Sequence, residues 1–519
     1  MSKSNKRFGG TQRALVLQGG GALGAYDAGV FQALYDSFEE EDGRSTDKPL
    51  FNIVAGTSSG AMNAAILVSH VIHNNNSWRG SVEKLNGFWD HVSVNADIQI
   101  MVPAFNEWWK NWHNLYPNAA SEEAARRYYS VKEFLFTGIQ NVYSSPPFMR
   151  VDDKFFDPTN SWYFYSNQPL KDSLARFARF PIATDYDSNQ PRLLLVTVDV
   201  LDSSAATFDS YVKEDGIRKS EYGEYYSLGR NDENKKTTRT NKGYYKYAIT
   251  YNHGILLDYT IASGSVPIGY DYTKLDVEER LSPRIPQHNH HNNFQSAATT
   301  TTNISSNIVQ TSNSHNNNTI KYKKTQRCFW DGGLLSNTPL RELLESHRNY
   351  WLSVRKVGEE EVPDLKVYIA DVWPSREESI PLDLDGAKDR LYDIMLCDKT
   401  DYDKKVADMI SDYIQLYQKT REFALNHIKD QNQRKAFEIE LTEFLTNENT
   451  KRSTHRTGKP RTYEELIKGR FDVEVIRIER KNSTDEISNK LLDYSADTIK
   501  QLREEGYKDT LNAMQKHRQ

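Results

Sequence analysis

Short apolar runs alternate along this chain with longer mixed stretches, the rhythm of strands feeding helices. Ala14-Leu15-Val16-Leu17 has strand length and stops at Gly19-Gly20-Gly21-Ala22-Leu23-Gly24; residues 25–38 then read as an amphipathic helix. A second apolar run, Phe51-Asn52-Ile53-Val54-Ala55, passes through Gly56-Thr57-Ser58-Ser59-Gly60 into the helix former Ala61-Met62-Asn63-Ala64-Ala65-Ile66-Leu67. In a parallel sheet both glycine turns would lie side by side at the carboxyl edge, where α/β folds bind ligands. Residues 192–200 form a continuous, branched apolar run and predict a buried central strand, and residues 365–370 predict another. Residues 473–478 alternate like a half-exposed edge strand. Residues 340–347 predict a short helix, and a long helical stretch runs from Pro381 to about Asn447. Ser495 reads as the N-cap of a helix that stops at Gly506.

The two turns carry candidate chemistry. Gly56 and Gly60 leave room for a sharp strand-to-helix turn of G-x-S-x-G type, which lifts Ser58 Oγ above the sheet at the positive end of a helix. Consecutive glycines at 19–21 expose backbone N–H groups in one concave loop, a nest suited to a developing oxyanion. Gly19, Gly21 and Gly24 also fit a dinucleotide fingerprint, but that needs an acidic residue at the end of the next strand, and here the strand ends in Gly56-Thr57-Ser58. An α/β-hydrolase would place several strands before its serine, and Ser58 comes too early. A carboxylate partner is offered by Phe329-Trp330-Asp331-Gly332-Gly333, where an apolar pair delivers Asp331 into two glycines. Alone, Asp-Gly-Gly is an ordinary turn.

With these motifs in this order, followed by Asn337 and Pro339, and with Ala262-Ser263-Gly264-Ser265-Val266-Pro267 between them, the chain resembles the patatin-like phospholipases over roughly residues 13–345. The resemblance implies a three-layer α/β/α fold around a central, mostly parallel sheet, with helical cap insertions and a C-terminal α+β extension. It implies a Ser–Asp dyad without a catalytic histidine. Ser58 would be the nucleophile and Asp331 the general base. Backbone N–H groups in the stretch Gly19, Gly20, Gly21 and Ala22 would form the oxyanion hole, and Gly24, Gly56, Gly60, Gly332 and Gly333 would complete the motifs. It implies no cofactor and no metal. Many patatins carry Lys or Arg where this chain has Leu23, and the Gly-Ala-Leu-Gly-Ala-Tyr form resembles a prokaryotic branch. In the family the Ser263–Ser265 element packs close to the nucleophile; both serines read as small residues that permit this.

The rest of the chain refines the domain picture. At 519 residues it can bury a large core, and a net charge of −5 does not suggest a nucleic-acid partner. Two cysteines make no disulfide framework, which fits a cytoplasmic protein. Residues 1–12 are polar, lack the apolar core of a signal peptide and read as a disordered tail, and no run is long enough to span a bilayer, so lipid would be met by transient peripheral contact with a membrane or micelle. The catalytic domain is expected over 13–345 and the extension, packed on it, over 346–519. Residues 74–190 read as an aromatic-rich cap insertion; rings such as Trp108 and Trp112 either form its own core, the favoured reading, or meet lipid. Residues 39–48 and 210–245 read as solvated loops, and 451–461 as a basic linker. The Asn/His/Thr-rich stretch 287–319 reads as a disordered insertion, whose His288, His290 and His291 lack a rigid frame for a metal.

The expected activity is hydrolysis of fatty-acyl esters of phospholipids or related glycerolipids, with lipid as the partner. Acyl transfer to an alcohol through the same acyl-enzyme, or lipid binding without turnover, stand as alternatives.

Overall fold

The computed structural model describes residues 10–41, 49–94, 126–127, 130–131, 134–135, 137–144, 163–223, 247–281, 321–357, 362–377, 380–453, 460–481 and 487–518. The expected insertion at 287–319, the residues around Trp108 and Trp112, and most of the N-terminal tail lie outside them.

A ten-stranded sheet runs in the order β12-β9-β1-β2-β3-β8-β7-β6-β5, with β4 also paired to β3. Its heart is parallel: β1 (Thr11–Leu17), β2 (Ile53–Thr57), β3 (Arg192–Asp199), β9 (Asp364–Asp371) and β12 (Val473–Glu479). β4 (Ser204–Asp209), β5 (Lys219–Tyr222), β6 (Tyr247–Thr250), β7 (Thr273–Leu281) and β8 (Lys321–Asp331) extend it in antiparallel fashion. Every residue of β2 and β3 is buried, as strands covered on both faces require.

Helices cover the two faces. The helices are α1 (Gly24–Glu41), α2 (Ser59–His73), α3 (Ser81–Val92), α4 (Gln168–Phe177), α5 (Leu257–Ser263), α6 (Leu340–Asn349), α7 (Leu384–Leu396), α8 (Asp401–His427), α9 (Gln431–Thr446), α10 (Tyr463–Leu466) and α11 (Ala496–Arg518). Leu15, Leu17 and Val54 join one core cluster with α1, α2 and α3, while Ala14, Val16 and Ile53 join a second with α6. This one-residue alternation is the three-layer α/β/α arrangement.

Several expectations are corrected. Trp78, Phe88 and Trp89 are buried in the main core rather than in a separate cap. Within 210–245, Ser210, Tyr211, Ser220 and Tyr222 are buried and β5 joins the sheet, because Tyr222 donates to Asp199 (2.9 Å) and packs on Phe329; residues 224–246 lie outside the described set. The long helical stretch is three helices, broken at 397–400 and 428–430. The basic linker contributes to an antiparallel pair, β10 (Glu448–Ser453) with β11 (Pro460–Thr462). The last helix does not stop at Gly506. It continues to Arg518, because Gly506 lies where α11 crosses α1: a Cβ there would strike the carbonyl oxygen of Tyr26, and one on Gly29 would strike that of Arg503. Ser495 stands directly before that helix, its carbonyl accepting from the Ile499 N–H (2.9 Å), and its hydroxyl bonds to Asp493 and Thr498.

Candidate active site

Strand register brings Ser58 and Asp331 together. β2 pairs with β3 up to Thr57 opposite Val196, and β8 pairs with β3 from Asp331 opposite Thr197. β4 occupies the other edge of β3 over Leu194 to Asp199, so β2 and β8 share one edge and meet end to end. Ser58 follows β2 directly, and Asp331 is the final residue of β8.

Ser58 adopts φ 55°, ψ −126°, a conformation an L-residue rarely holds, at a cost of about 1–3 kcal/mol. Neighbouring backbone enforces it. Gly60 lies against the carbonyls of Leu17 and Gln18, where a Cβ would clash. The Ser58 N–H donates to Ser263 Oγ (3.0 Å), which donates in turn to the Val196 carbonyl (2.5 Å). Ser263 is therefore more than the small spacer expected: its hydroxyl ties the strained turn to β3. Ser263→Ala leaves two buried backbone groups unpaired and is expected to cost about 2 kcal/mol in denaturant unfolding; a change below about 0.5 kcal/mol would show that the turn holds itself.

Asp331 is hydrogen-bonded by Ser58 and accepts the Gly333 N–H (2.7 Å). Burial pushes its pKa up to about 6, and these two hydrogen bonds oppose the rise. Thr57 Oγ1 donates to the Ser336 carbonyl (2.9 Å), fastening the loop after Asp331 to the serine turn.

The glycine loop lies over Ser58. A Cβ on Gly19 would come within 2.7 Å of Ser58 Cβ, so only glycine allows this approach. The carbonyl of Gly19 accepts from Trp373 Nε1 (2.6 Å) and Asn337 Nδ2 (3.2 Å). Gln18 spans the same region, donating to Thr338 Oγ1 (2.8 Å) and accepting the Val372 N–H (2.8 Å). The Gly20 N–H donates to Ser59 Oγ (3.1 Å). Among the described residues, no acceptor meets the N–H of Gly21 or Ala22. Behind the loop, Asn63 donates to the Gly24 carbonyl (2.9 Å) and to Asp27 (3.2 Å), while burial drives the Asp27 carboxyl well above its usual range. Sequence reasoning missed Gln18, Asn63, Trp373 and the Leu396 carbonyl, which accepts from Asn337 (2.7 Å). Only Gln18, next to the glycines, carried a signal.

A cavity of about 170 Å³ opens at the loop that follows Asp331, lined by Leu334, Leu335, Asn337, Arg341, Met395 and Cys397 among others. A strained serine, a buried carboxylate bonded to it and two N–H groups without acceptors can together carry out acyl transfer.

Comparison with curated proteins returns no match. Among solved structures, the chain is similar to VipD from Legionella pneumophila at 13% identity, with a TM-score of 0.27, over 98% of this chain and 67% of that one. The family profile described as patatin-like phospholipase matches residues 15–344, more than half the sequence and every motif above, and the chain belongs to that family.

Proposed function

We propose that this protein hydrolyses fatty-acyl esters of phospholipids or related glycerolipids through a Ser58–Asp331 dyad. The observation that carries this reading is the strand register that sets the strained Ser58 against the buried Asp331, whose carboxyl interacts with it. Asp331 takes the proton of Ser58 Oγ as that oxygen attacks the acyl carbonyl. The N–H groups of Gly21 and Ala22 stabilise the resulting oxyanion, and the bond to the alcohol oxygen of the glycerolipid breaks as that oxygen takes the proton. Asp331 then removes a proton from water, the hydroxyl adds to the acyl-enzyme, and the fatty acid leaves as Ser58 regains its proton. In this reading the Gly20 N–H shapes the loop through Ser59.

The deciding experiment is labelling by a fluorophosphonate probe, followed by phospholipid turnover. Labelling of the wild type that disappears in Ser58→Ala is expected. A folded wild type that neither labels nor releases fatty acid from micelles would overturn the reading in favour of lipid binding without turnover. Added alcohol that diverts most product into a new ester would favour acyl transfer. Because Asp331 titrates at about 6, kcat/KM is expected to fall roughly tenfold per pH unit below that value in a stopped assay.

We place the lipid surface at α7. This helix is inverted: Asp389 and Asp393 are buried, while Leu384, Leu391, Ile394 and Met395 are more than half exposed. The buried pair is held by Lys490, 3.2 Å from Asp389 and 2.7 Å from Asp393. The outward apolar face continues into Leu334 and Leu335 at the cavity rim, each half exposed. Among the described residues no helix is long and apolar enough to cross a membrane, so lipid would be met at its surface. The double variant Leu391→Asp, Ile394→Asp should cut turnover on phospholipid vesicles at least about tenfold and leave hydrolysis of a soluble short-chain ester unchanged. Equal losses on both substrates would rule out a surface role.

A further inference from the structure

Helix α8 has two faces of different kinds. One lies on the body: Ile414 is buried, Ser411 Oγ donates to the Phe471 carbonyl (2.7 Å), and the helix packs on β12 and α6. The other faces solvent and is apolar. Tyr402, Met409, Tyr413, Leu416 and Phe423 are 45 to 72% exposed. With Val406 and Thr420 between them, they recur in steps alternating four and three, the period of a coiled-coil seam. A seam this narrow fits the ridge of another helix; a flat lipid surface would favour a broader stripe edged with basic residues.

We infer that this seam pairs with α8 of a second copy of the chain, antiparallel, to form a two-fold dimer. Self-complementarity identifies the occupant. Centring the pair between residues 413 and 416 sets Tyr413 against the partner's Leu416, Met409 against the partner's Thr420, and Val406 against the partner's Phe423, each contact repeated by symmetry. The same register sets Asp412 beside the partner's Lys419, twice. Both side chains are exposed, and neither is in an ion pair among the described residues. A parallel pair would place both on the same flanking position and leave the charges unmatched. Shape agrees with the antiparallel choice. The half of α8 up to about residue 418 rests on its own body, whereas most of residues 419–427 are exposed. The free half of each copy therefore lies along the supported half of the other, with the two bodies at opposite ends.

The test is sedimentation of the full-length chain at tens of micromolar, independent of any activity. The wild type should sediment as a dimer. Asp412→Lys and Lys419→Asp should each weaken association at least about tenfold, and the double swap should restore it to near the wild-type value. Leu416→Asp should give a monomer whose unfolding temperature matches that of the wild type, showing that the fold survives. A monomeric wild type, single swaps without effect, or a double swap no tighter than the singles would overturn the proposal. So would a monomeric wild type that binds phospholipid vesicles and loses them on Leu416→Asp, since lipid would then occupy the seam.

Discussion

Asp331→Asn is expected to lower kcat/KM by about 10³–10⁴-fold at pH 8 while raising the unfolding temperature. The two effects share one cause. The Asp331 carboxyl is buried with Ser58 and a single backbone N–H as its hydrogen-bond donors, and its pKa stands at about 6 against an ordinary 3.8. Ionising it inside the protein therefore costs more than ionising it in the unfolded chain. Below about pH 4 the group is protonated in both states and nothing is lost. Between about 4 and 6 the unfolded chain ionises first, and stability falls as pH rises through the folded value. Above about 6 the deficit is constant, at about 3 kcal/mol. Asparagine removes the charge and with it the deficit, less whatever its own amide loses for want of an acceptor. Calorimetry of both proteins at pH 4 and pH 8 checks the sign: the curves should lie closer at pH 4 and part at pH 8, with the variant higher. A variant less stable at both pH values, with activity retained, would remove Asp331 from the role of base.

Gly29→Val should destabilise the fold severely. The added carbons would strike the Arg503 carbonyl, and the obstacle is backbone on both sides, so no side chain can swing away. α1 and α11 must then separate along their crossing, where Gly506 meets Tyr26 in the same way. Overpacking of this kind costs about 1–3 kcal/mol when neighbours can adjust and more when they cannot. We expect a loss of at least about 3 kcal/mol by denaturant unfolding. Slower fluorophosphonate labelling should accompany it, because α1 issues directly from the glycine loop. An unchanged midpoint would show that the helices have slack at the crossing.

What the sequence disclosed follows from the range of the interactions involved. The turns at 19–24 and 56–60 were legible because their glycines and serine act on their nearest neighbours along the chain. The strands 192–199 and 364–371 were legible because burial on both faces demands an unbroken apolar run. Gly506 was misread because a helix-ending glycine and a helix-crossing glycine look alike until the partner is known, and that partner, Tyr26, lies at the other end of the chain. Trp373 was invisible as a support for Gly19 for the same reason: a buried tryptophan at a strand end reads as core, and only the fold shows its indole N–H aimed at a carbonyl. Ser263 read as a small residue because sequence gives size and not direction. The outward apolar face of α7 was hidden by its charges, which on an isolated helix would be assigned to solvent.

The position of β9 in the sheet has a consequence for biosynthesis. The ribosome delivers Ser58 early and Asp331 well before the strand that flanks β1 on its other side. Trp373 and Leu396, which fix the glycine loop, follow later still, and α11, which braces α1, follows them. A nascent chain thus carries Ser58 and Asp331 before the residues that fix the glycine loop over Ser58 have been made. Alignment of the serine turn therefore waits on strands and helices made well after it, and the order of synthesis sets the order in which the site can assemble.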